Sequence, residues 1–302
     1  MRELDFDALR RTRAHHPEAV LEVAAGRRRP PHLPADGRLM LIAADHPARG
    51  AIGAGGDPTA MGDREELLTR LVAALERPGV DGVLGTADIL EDLLLLGALD
   101  DKVIIGSMNR GGLAGASFEL DDRFTGYDAE TIAAMRFDGG KMLTRIDYDD
   151  GGSIATLEAS ARAVDQLADR GLMAMVEPFI STRVDGKLTN VLTTDAVVRS
   201  VGIASGLGRT SRHTWLKLPV VPDMAQVMRA TTLPTLLLGG DPTGPPEEYL
   251  AAWQATLALP GVRGLIVGRT LLFPPDGDVG AAVDTAVAMV HSGQPAHDGA
   301  MA

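Results

Sequence analysis

The sequence predicts a single (β/α)8 barrel preceded by a helical extension. Apolar runs of strand length recur along the chain, ending in or next to Gly, Pro, Asp or Asn. Stretches with helical periodicity lie between these runs, which is the pattern of repeated βα units. Eight such units in roughly 250 residues match a closed barrel, whereas an open doubly wound sheet seldom carries eight regular units without a second-domain break.

The predicted strands are short and apolar, as expected of parallel strands that are covered on both faces. In chain order they span residues 39–45, 82–87, 103–108, 141–146, 173–178, 214–219, 235–240 and 264–268. Predicted helices include residues 64–77, 154–170, 246–258 and 279–290. The chain therefore divides into an N-terminal helical extension (1–37), the barrel (38–292) and a C-terminal tail (293–302).

Two segments lie outside the regular repeats. In the extension we predict helix within residues 7–23, interrupted near Pro17 and covering one barrel mouth, followed by an arginine-rich turn at residues 27–29. That turn is either a solvated charge run or a phosphate site, and the first is the simpler interpretation. Residues 111–137 form a long connection that contains acidic Glu119, Asp121 and Asp122, and a long loop on this face of a barrel is typical of a lid.

Composition restricts the classes of partner. Forty-one acidic residues against 29 basic ones give a formal net charge of −12, and no basic stripe with interleaved aromatic residues occurs, so we expect neither nucleic acid nor an anionic membrane as a partner. We expect a small molecule instead. The absence of cysteine excludes disulfides, thiolate nucleophiles and cysteine-bound metals.

Location and assembly are predicted from two short segments. The first twelve residues mix acidic and basic side chains, unlike a signal peptide, so we expect a cytoplasmic protein. The apolar stretch 93–99 is far shorter than the ~20 residues that a bilayer requires. Because residues 93–96 are apolar all round, we expect a homo-oligomer, although packing within the barrel explains the stretch equally well.

Catalytic side chains of a (β/α)8 barrel come from the carboxyl ends of several strands. The search therefore reduces to polar residues embedded in the apolar runs. Those that qualify are Asp45, His46, Asn109, Arg110, Lys141, Arg145, Glu177, Lys217 and Arg269.

Lysine is the most informative residue type here. The chain has four lysines among its 29 basic residues, yet Lys141 and Lys217 both lie in apolar strands, where a cation is costly to desolvate. Lysine, unlike arginine, offers an amine that can lose its proton and attack a carbonyl, which makes a Schiff base the favoured chemistry. The alternative is a buried lysine that is merely neutralised by Asp or Glu. If both lysines point inward, each ammonium lowers the pKa of the other. We predict that Lys217 is the nucleophile and that Lys141, which opens its run and so lies deeper in the barrel, assists it electrostatically.

Two carboxylates accompany the lysines. Glu177 has apolar neighbours that are expected to raise its pKa, and its place between those two strands predicts a general acid/base. The alternative is a counter-ion for a buried lysine. Asp45 either orients the substrate hydroxyls or the amine, or caps the segment that follows it.

Phosphate binding is predicted at the last two strands. Gly239 and Gly240 end the seventh, and Gly268 and Arg269 end the eighth, where barrels commonly hold phosphate on backbone N–H groups. The histidines show no ligand-like spacing, so neither a metal nor another cofactor is expected.

Four motifs on these strands resemble the class I (Schiff-base) aldolases of the group that contains tagatose-bisphosphate, sulfofructose-phosphate and archaeal-type fructose-bisphosphate aldolases. They are Lys-Met-Leu-Thr-Arg-Ile-Asp (141–147), Val-Glu-Pro (176–178), Leu-Lys-Leu-Pro-Val (216–220) and Val-Gly-Arg (267–269), within a match over about residues 39–272. The resemblance implies that Lys217 forms the iminium, that Glu177 is the acid/base and that Lys141 assists.

Departures from that group concern specificity. The first strand continues as Asp45-His46-Pro47 where the group has Asp-Gln-Arg, and Arg145 and Ile146 replace tyrosines of the fourth strand. The sequence most resembles actinobacterial deoxyribose-phosphate-aldolase-like proteins associated with inositol catabolism. This implies cleavage of 2-deoxy-5-keto-gluconate 6-phosphate to dihydroxyacetone phosphate and malonate semialdehyde, with Arg145 or Arg110 on the substrate carboxylate.

Three alternatives stay open at this point. The first is an aldolase for another phosphosugar, of the deoxyribose-phosphate or sulfosugar-phosphate type. The second is a non-catalytic barrel that binds a sugar phosphate for regulation. The third is an isomerase or decarboxylase that uses lysine as a plain base and forms no covalent adduct.

Overall fold

The computed structural model describes residues 3–30, 33–240 and 245–291. Its centre is a closed barrel of eight parallel strands, which confirms the predicted fold class. The strands are β1 (Leu39–Ala43), β2 (Gly82–Gly85), β3 (Val103–Ser107), β4 (Gly139–Ile146), β5 (Met173–Val184), β7 (Thr214–Leu218), β8 (Thr235–Leu238) and β9 (Val262–Val267), with β6 (Lys187–Asn190) added outside the barrel. The barrel strands pair in chain order, and β9 closes the ring by pairing with β1.

Strand β5 runs beyond the predicted residue 178 and turns back as an antiparallel hairpin with β6. Asp185 and Gly186 form the turn, with φ of 50° and 78°. An Asp-Gly pair is a strong hairpin signal, because both central residues of a two-residue turn take positive φ. The predicted strand 173–178 ends too early, because Pro178 is an interior residue of β5 and not its end.

Helices alternate with the barrel strands and surround them. They are α1 (Phe6–His15), α2 (Ala19–Gly26), α3 (Arg64–Leu75), α4 (Ala87–Leu95), α5 (Ala129–Ala134), α6 (Gly152–Ala168), α7 (Thr194–Ser205), α8 (Met224–Arg229), α9 (Pro246–Leu257), α10 (Arg269–Leu272) and α11 (Val279–His291), with a short 3-10 turn at Pro47–Arg49. Aspartates cap the first turns of several helices, as Asp63 does for α3 and Asp223 for α8. None of the helices in the described ranges is long and apolar enough to cross a membrane.

The helical extension lies on the outside of the barrel and not over a mouth, so the predicted placement is wrong. Arg13 of α1 binds Asp92 of α4 at 2.7 Å, and α2 packs on the same helix. Buried Arg27 donates to backbone carbonyls, while Arg28 and Arg29 pair with acidic side chains on the amino-terminal side of the barrel. The arginine-rich turn therefore joins the extension to the amino-terminal side of the barrel.

The predicted tail at residues 293–302 lies outside the described residues.

Apolar side chains fill the inside of the barrel. Leu39, Leu41, Ile105, Met175 and Leu236 form a buried cluster there. A second, larger cluster joins the strands to the surrounding helices. Since a barrel interior of this kind is packed solid, polar side chains on the strands have room only towards the carboxyl ends.

Candidate active site

A cavity of about 540 Å³ opens at the carboxyl ends of the strands. Eight of the ten residues predicted for the site line it, namely Lys217, Glu177, Arg110, Arg145, Gly239, Gly240, Gly268 and Arg269. The other two, Lys141 and Asp45, are fully buried and contact lining residues from behind. The structure thus brings the predicted catalytic and phosphate-binding residues into one place.

Charges alternate along a buried chain of five side chains. Lys217 Nζ lies 3.1 Å from Glu177 Oε1, and the other Glu177 oxygen binds the Lys141 ammonium. Lys141 Nζ lies 3.2 Å from Asp45 Oδ2, which also binds the Arg110 guanidinium. Each carboxylate is therefore held between two cations, and this pairing offsets the cost of burying them.

Both lysines are depressed in pKa, but not mainly by each other. Burial is the largest cause for Lys217; Glu177 opposes it, and the Arg110 charge lowers the pKa further. For Lys141 burial again leads, followed by Arg110, and its pKa falls well below the ordinary value. Of the two, Lys217 is the lysine that lines the cavity.

The expectation that apolar neighbours raise the pKa of Glu177 is wrong. Burial does raise it, but the charges of Lys141, Lys217 and Arg110 outweigh burial and bring the pKa well below the usual range. The sequence neighbours Val176 and Pro178 do not decide this, because the opposing charges come from other strands. Glu177 is ionised in the resting protein and takes a proton readily only when a neighbouring cation is lost.

Asp45 does not serve as a simple cap. Its Oδ2 accepts from Ser107 Oγ at 3.2 Å besides binding Arg110 and Lys141. The 3-10 turn that follows begins at His46 and has no side-chain cap bond. Asp45 is thus the carboxylate that joins β1 to β3 and β4.

Arg145 anchors the long loop between β3 and β4. Its Nε lies 2.9 Å from Asp122 Oδ2, and its terminal nitrogens bind Asp122 Oδ1 at 2.6 Å and Glu119 Oε1 at 3.2 Å. Arg49 binds the same Glu119 at 3.3 Å. Burial lowers the pKa of Arg145, but the hydrogen bonds and charges of Asp122 and Glu119 together outweigh burial and raise it. The acidic run predicted as part of a lid therefore ties the loop down, and Arg145 meets the cavity with its donors already engaged.

The glycines of the two predicted phosphate loops are also required by packing. A Cβ on Gly239 would lie 2.5 Å from the Val267 side chain, and one on Gly268 would lie 2.2 Å from the carbonyl oxygen of Ala43. Gly240 has a φ of 67°. These positions suit glycine without any ligand, so the case for phosphate rests on their shared cavity with Arg269 and Lys217.

Sequence reasoning missed several lining residues. They are Arg49, Asn190, Leu192, Tyr249 and Trp253. Asn190 and Leu192 reach the cavity through the hairpin, which the Asp-Gly turn signals. Trp253 and Tyr249 lie on α9, and no motif marks them. His46, one of the polar residues singled out in the apolar runs, also lines the cavity.

Within the described ranges no three side chains of the His, Cys, Asp or Glu type are grouped closely enough to hold a metal ion. Fold and cavity together define a (β/α)8 barrel in which Glu177 bridges two buried lysines, Lys217 near the carboxyl end of β7 and Lys141 deeper in β4.

The chain belongs to the Cgl0159-like family, whose model matches residues 37–287. It is similar to the crystal structure of Cgl0159 from Corynebacterium glutamicum, with 57% identity, a TM-score of 0.93, and coverage of 95% of this chain and 97% of that one. A comparison with curated proteins found no match.

More distant solved structures share the fold. One is an archaeal fructose-1,6-bisphosphate aldolase with its catalytic lysine covalently bound to the carbinolamine intermediate (19% identity, TM-score 0.60, 89% of this chain and 99% of that one). Another is a fructose-bisphosphate aldolase from Slackia heliotrinireducens (17% identity, TM-score 0.64, 97% and 94%). At these identities the similarity establishes the fold alone.

Proposed function

We propose that the protein is a class I aldolase that cleaves a phosphorylated keto-sugar through a Schiff base on Lys217. The observation that carries this proposal is the placement of Lys217 in the cavity wall, 3.1 Å from Glu177, with the two glycine loops and Arg269 in the same cavity. Two proteins of this fold are aldolases for a phosphorylated ketose, and in one of them a lysine carries the covalent intermediate.

The lowered pKa of Lys217 favours attack at neutral pH. Its ammonium gives up a proton, and the neutral Nζ adds to the keto carbon to form a carbinolamine. Loss of hydroxide as water, with a proton supplied by an acid, leaves the iminium. A base then takes the proton of the hydroxyl on the β carbon, the aldehyde C=O forms, and the Cα–Cβ bond breaks with its electrons passing to the iminium, which becomes an enamine. Protonation of the enamine carbon and addition of water to the resulting iminium release the second product and free Lys217.

Glu177 is placed to move the protons of these steps. While Lys217 is charged, Glu177 is held ionised between two ammonium groups. When Lys217 becomes a neutral carbinolamine, one of those charges is lost, so the carboxylate becomes more basic and accepts a proton. The charge at Lys141, paired on its other side with Asp45, keeps the carboxylate in position throughout.

For the substrate we propose 2-deoxy-5-keto-gluconate 6-phosphate, cleaved to dihydroxyacetone phosphate and malonate semialdehyde in inositol catabolism. The cavity supports an anionic substrate, since five cationic side chains line it against one anion, Glu177, in the described part of the chain. Arg110 and Arg145 are the proposed partners of the carboxylate, although both already bind acidic side chains. Deoxyribose-phosphate and sulfosugar-phosphate substrates are the alternatives within the class.

Borohydride trapping tests the proposal. The wild type, incubated with each candidate ketose phosphate and reduced, is expected to gain the mass of one reduced adduct, which peptide mapping places on Lys217. Lys217→Arg is expected to give neither adduct nor turnover, because a guanidinium stays protonated. Lys187→Arg, on the exposed hairpin strand β6, is the matched control and is expected to react like the wild type.

Three results decide the outcome. An adduct on Lys141 would exchange the roles of the two lysines. An adduct on neither would contradict the aldolase assignment. Binding of dihydroxyacetone phosphate without product from any donor would instead indicate a regulatory barrel. If the protein turns over a substrate, the product identifies the substrate class: dihydroxyacetone phosphate indicates the proposed substrate, and acetaldehyde indicates deoxyribose phosphate.

A further inference from the structure

His46 lies at a point of the cavity that the proposed chemistry does not use. It follows Asp45 at the end of β1 and lines the cavity. Its ring faces the loop after β9, since a Cβ on Gly268 would lie 3.4 Å from His46 Cε1. The charges that act on it most strongly are those of Lys217 and Arg269. The imidazole therefore lies beside the proposed phosphate loop after β9, within reach of the charge of the proposed Schiff-base amine.

The ring is a neutral hydrogen-bonding group. Burial and the surrounding cations keep the pKa of His46 well below its ordinary value. A neutral imidazole has one nitrogen that donates and one that accepts. Its Nδ1 is buried without a hydrogen-bond partner, 3.9 Å from Asp45 Oδ1, which also lacks one. With the Nδ1 proton directed at that carboxylate, Nε2 is the nitrogen left to accept a hydrogen bond.

An accepting nitrogen is scarce in this cavity. The five lining cations are donors, the carboxylate of Glu177 is occupied by two lysines, and Asn190 Oδ1 already accepts from Ser181 Oγ at 2.9 Å. Besides the His46 ring, the Tyr249 hydroxyl is the remaining polar side chain in the described lining that can accept. The oxygens of a phosphate group act as acceptors, so the cationic side chains can bind them. A substrate hydroxyl, in contrast, must donate its own proton to an acceptor or pay for losing its bond to water.

We propose that His46 determines specificity by accepting a hydrogen bond from the hydroxyl on the carbon next to the carbonyl of the bound ketose phosphate. This inference rests on the proposed function, because there the carbonyl carbon is bonded to Lys217 and the phosphate is held by Gly239, Gly240 and the loop after β9. With those two points held, the remaining free group of a three-carbon ketose phosphate is this hydroxyl. His46 is then the residue that selects hydroxyketone substrates over their deoxy analogues.

The test compares two probes that differ by this one hydroxyl. Dihydroxyacetone phosphate has it, and hydroxyacetone phosphate has a methyl group instead. Borohydride trapping at a series of concentrations gives the half-saturating concentration of each probe for the wild type, His46→Ala and His46→Gln. His15→Ala, which removes an exposed histidine of α1, is the matched control.

We expect His46→Ala to raise the half-saturating concentration of dihydroxyacetone phosphate about tenfold, the scale of one net hydrogen bond, and to leave that of hydroxyacetone phosphate nearly unchanged. The ratio of the half-saturating concentrations of hydroxyacetone phosphate and dihydroxyacetone phosphate therefore falls towards one. His46→Gln, whose amide oxygen is an acceptor, restores part of the preference.

Other outcomes overturn the inference in distinguishable ways. An equal loss for both probes in His46→Ala would show that the ring acts by packing. An unchanged ratio would show that it does not contact the hydroxyl. Absence of any adduct on wild-type Lys217 with either probe would remove the proposed function, and the role of His46 with it, whereas a normal wild-type adduct with an unchanged ratio removes the role of His46 alone.

Discussion

Replacing Glu177 by Gln separates the catalytic role of this carboxylate from its structural one. The substitution keeps the shape but removes the charge that faces two ammonium groups, at 3.1 Å from Lys217 Nζ and in contact with Lys141. Removing one partner of a buried ion pair costs about 3–5 kcal/mol. For 302 residues, an unfolding entropy of about 2.1 cal/mol/K per residue converts this to a drop in Tm of about 5–8 °C.

The loss of stability depends on pH with a definite sign. In the unfolded chain lysines titrate near 10.4. In folded Glu177→Gln the pKa values of both lysines fall further, because their counter-charge is gone. Between the folded and unfolded values the unfolded state binds more protons, so the unfolding free energy of the variant rises with pH. The unfolding free energy of the wild type rises with pH as well, because its lysine pKa values are also lowered. The deficit is therefore largest below the folded lysine pKa values of the variant, and it shrinks as pH rises from those values to the folded lysine pKa values of the wild type.

Turnover is expected to fall by ~10²–10⁴, the usual scale for loss of a general acid/base. The assay follows release of the triose phosphate from the substrate identified by trapping, alongside thermal unfolding from pH 6 to 10. Glu158→Gln is the matched control, because Glu158 pairs with Arg162 on an exposed face of α6 and is expected to change neither quantity. Near-normal turnover in a Glu177→Gln protein that melts several degrees lower would refute the acid/base role and leave a counter-ion.

Three further predictions concern other charged groups. Lys141→Met is expected still to form adduct, but with its pH optimum displaced upwards, because Glu177, no longer shared with Lys141, stabilises the Lys217 ammonium alone. An unchanged pH profile would show that Lys141 does not tune Lys217. Arg269→Ala is expected to weaken the binding of phosphorylated substrates by about 2–3 kcal/mol and to leave the fold intact. An unchanged KM for these substrates would contradict the assignment of Arg269 to the phosphate. The hydrogen bond to Asp81 is the chief cause that raises the pKa of His291 to about 9. The contribution of protonated His291 to the free energy of unfolding is therefore complete below pH ~6.5 and is lost as the pH rises through about 9. Over that range the Tm of His291→Gln is expected to fall less steeply than the Tm of the wild type.

The sequence by itself determined the barrel, because its signals are local. Each strand is a short apolar run and each helix a periodic one, and both patterns depend on neighbours a few residues apart. Parallel strands that are joined in order by helices bring their carboxyl ends to one face, so the positions of Lys217, Glu177 and the glycine loops within their runs were enough to place them in one site. The hairpin of β5 and β6 was also within reach through its Asp-Gly turn, and was missed.

Only the tertiary structure decided the charge state of the site. Apolar sequence neighbours of Glu177 predicted a raised pKa, but the groups that set it are Lys141 and Lys217, on the strands to either side. In the same way the length of the connection 111–137 predicted a lid, whereas the ion pairs of Arg145 with Glu119 and Asp122, which hold this loop, could not be inferred from the sequence. Electrostatic energy depends on distances of a few ångströms between residues far apart in sequence, and such distances exist only once the barrel has closed.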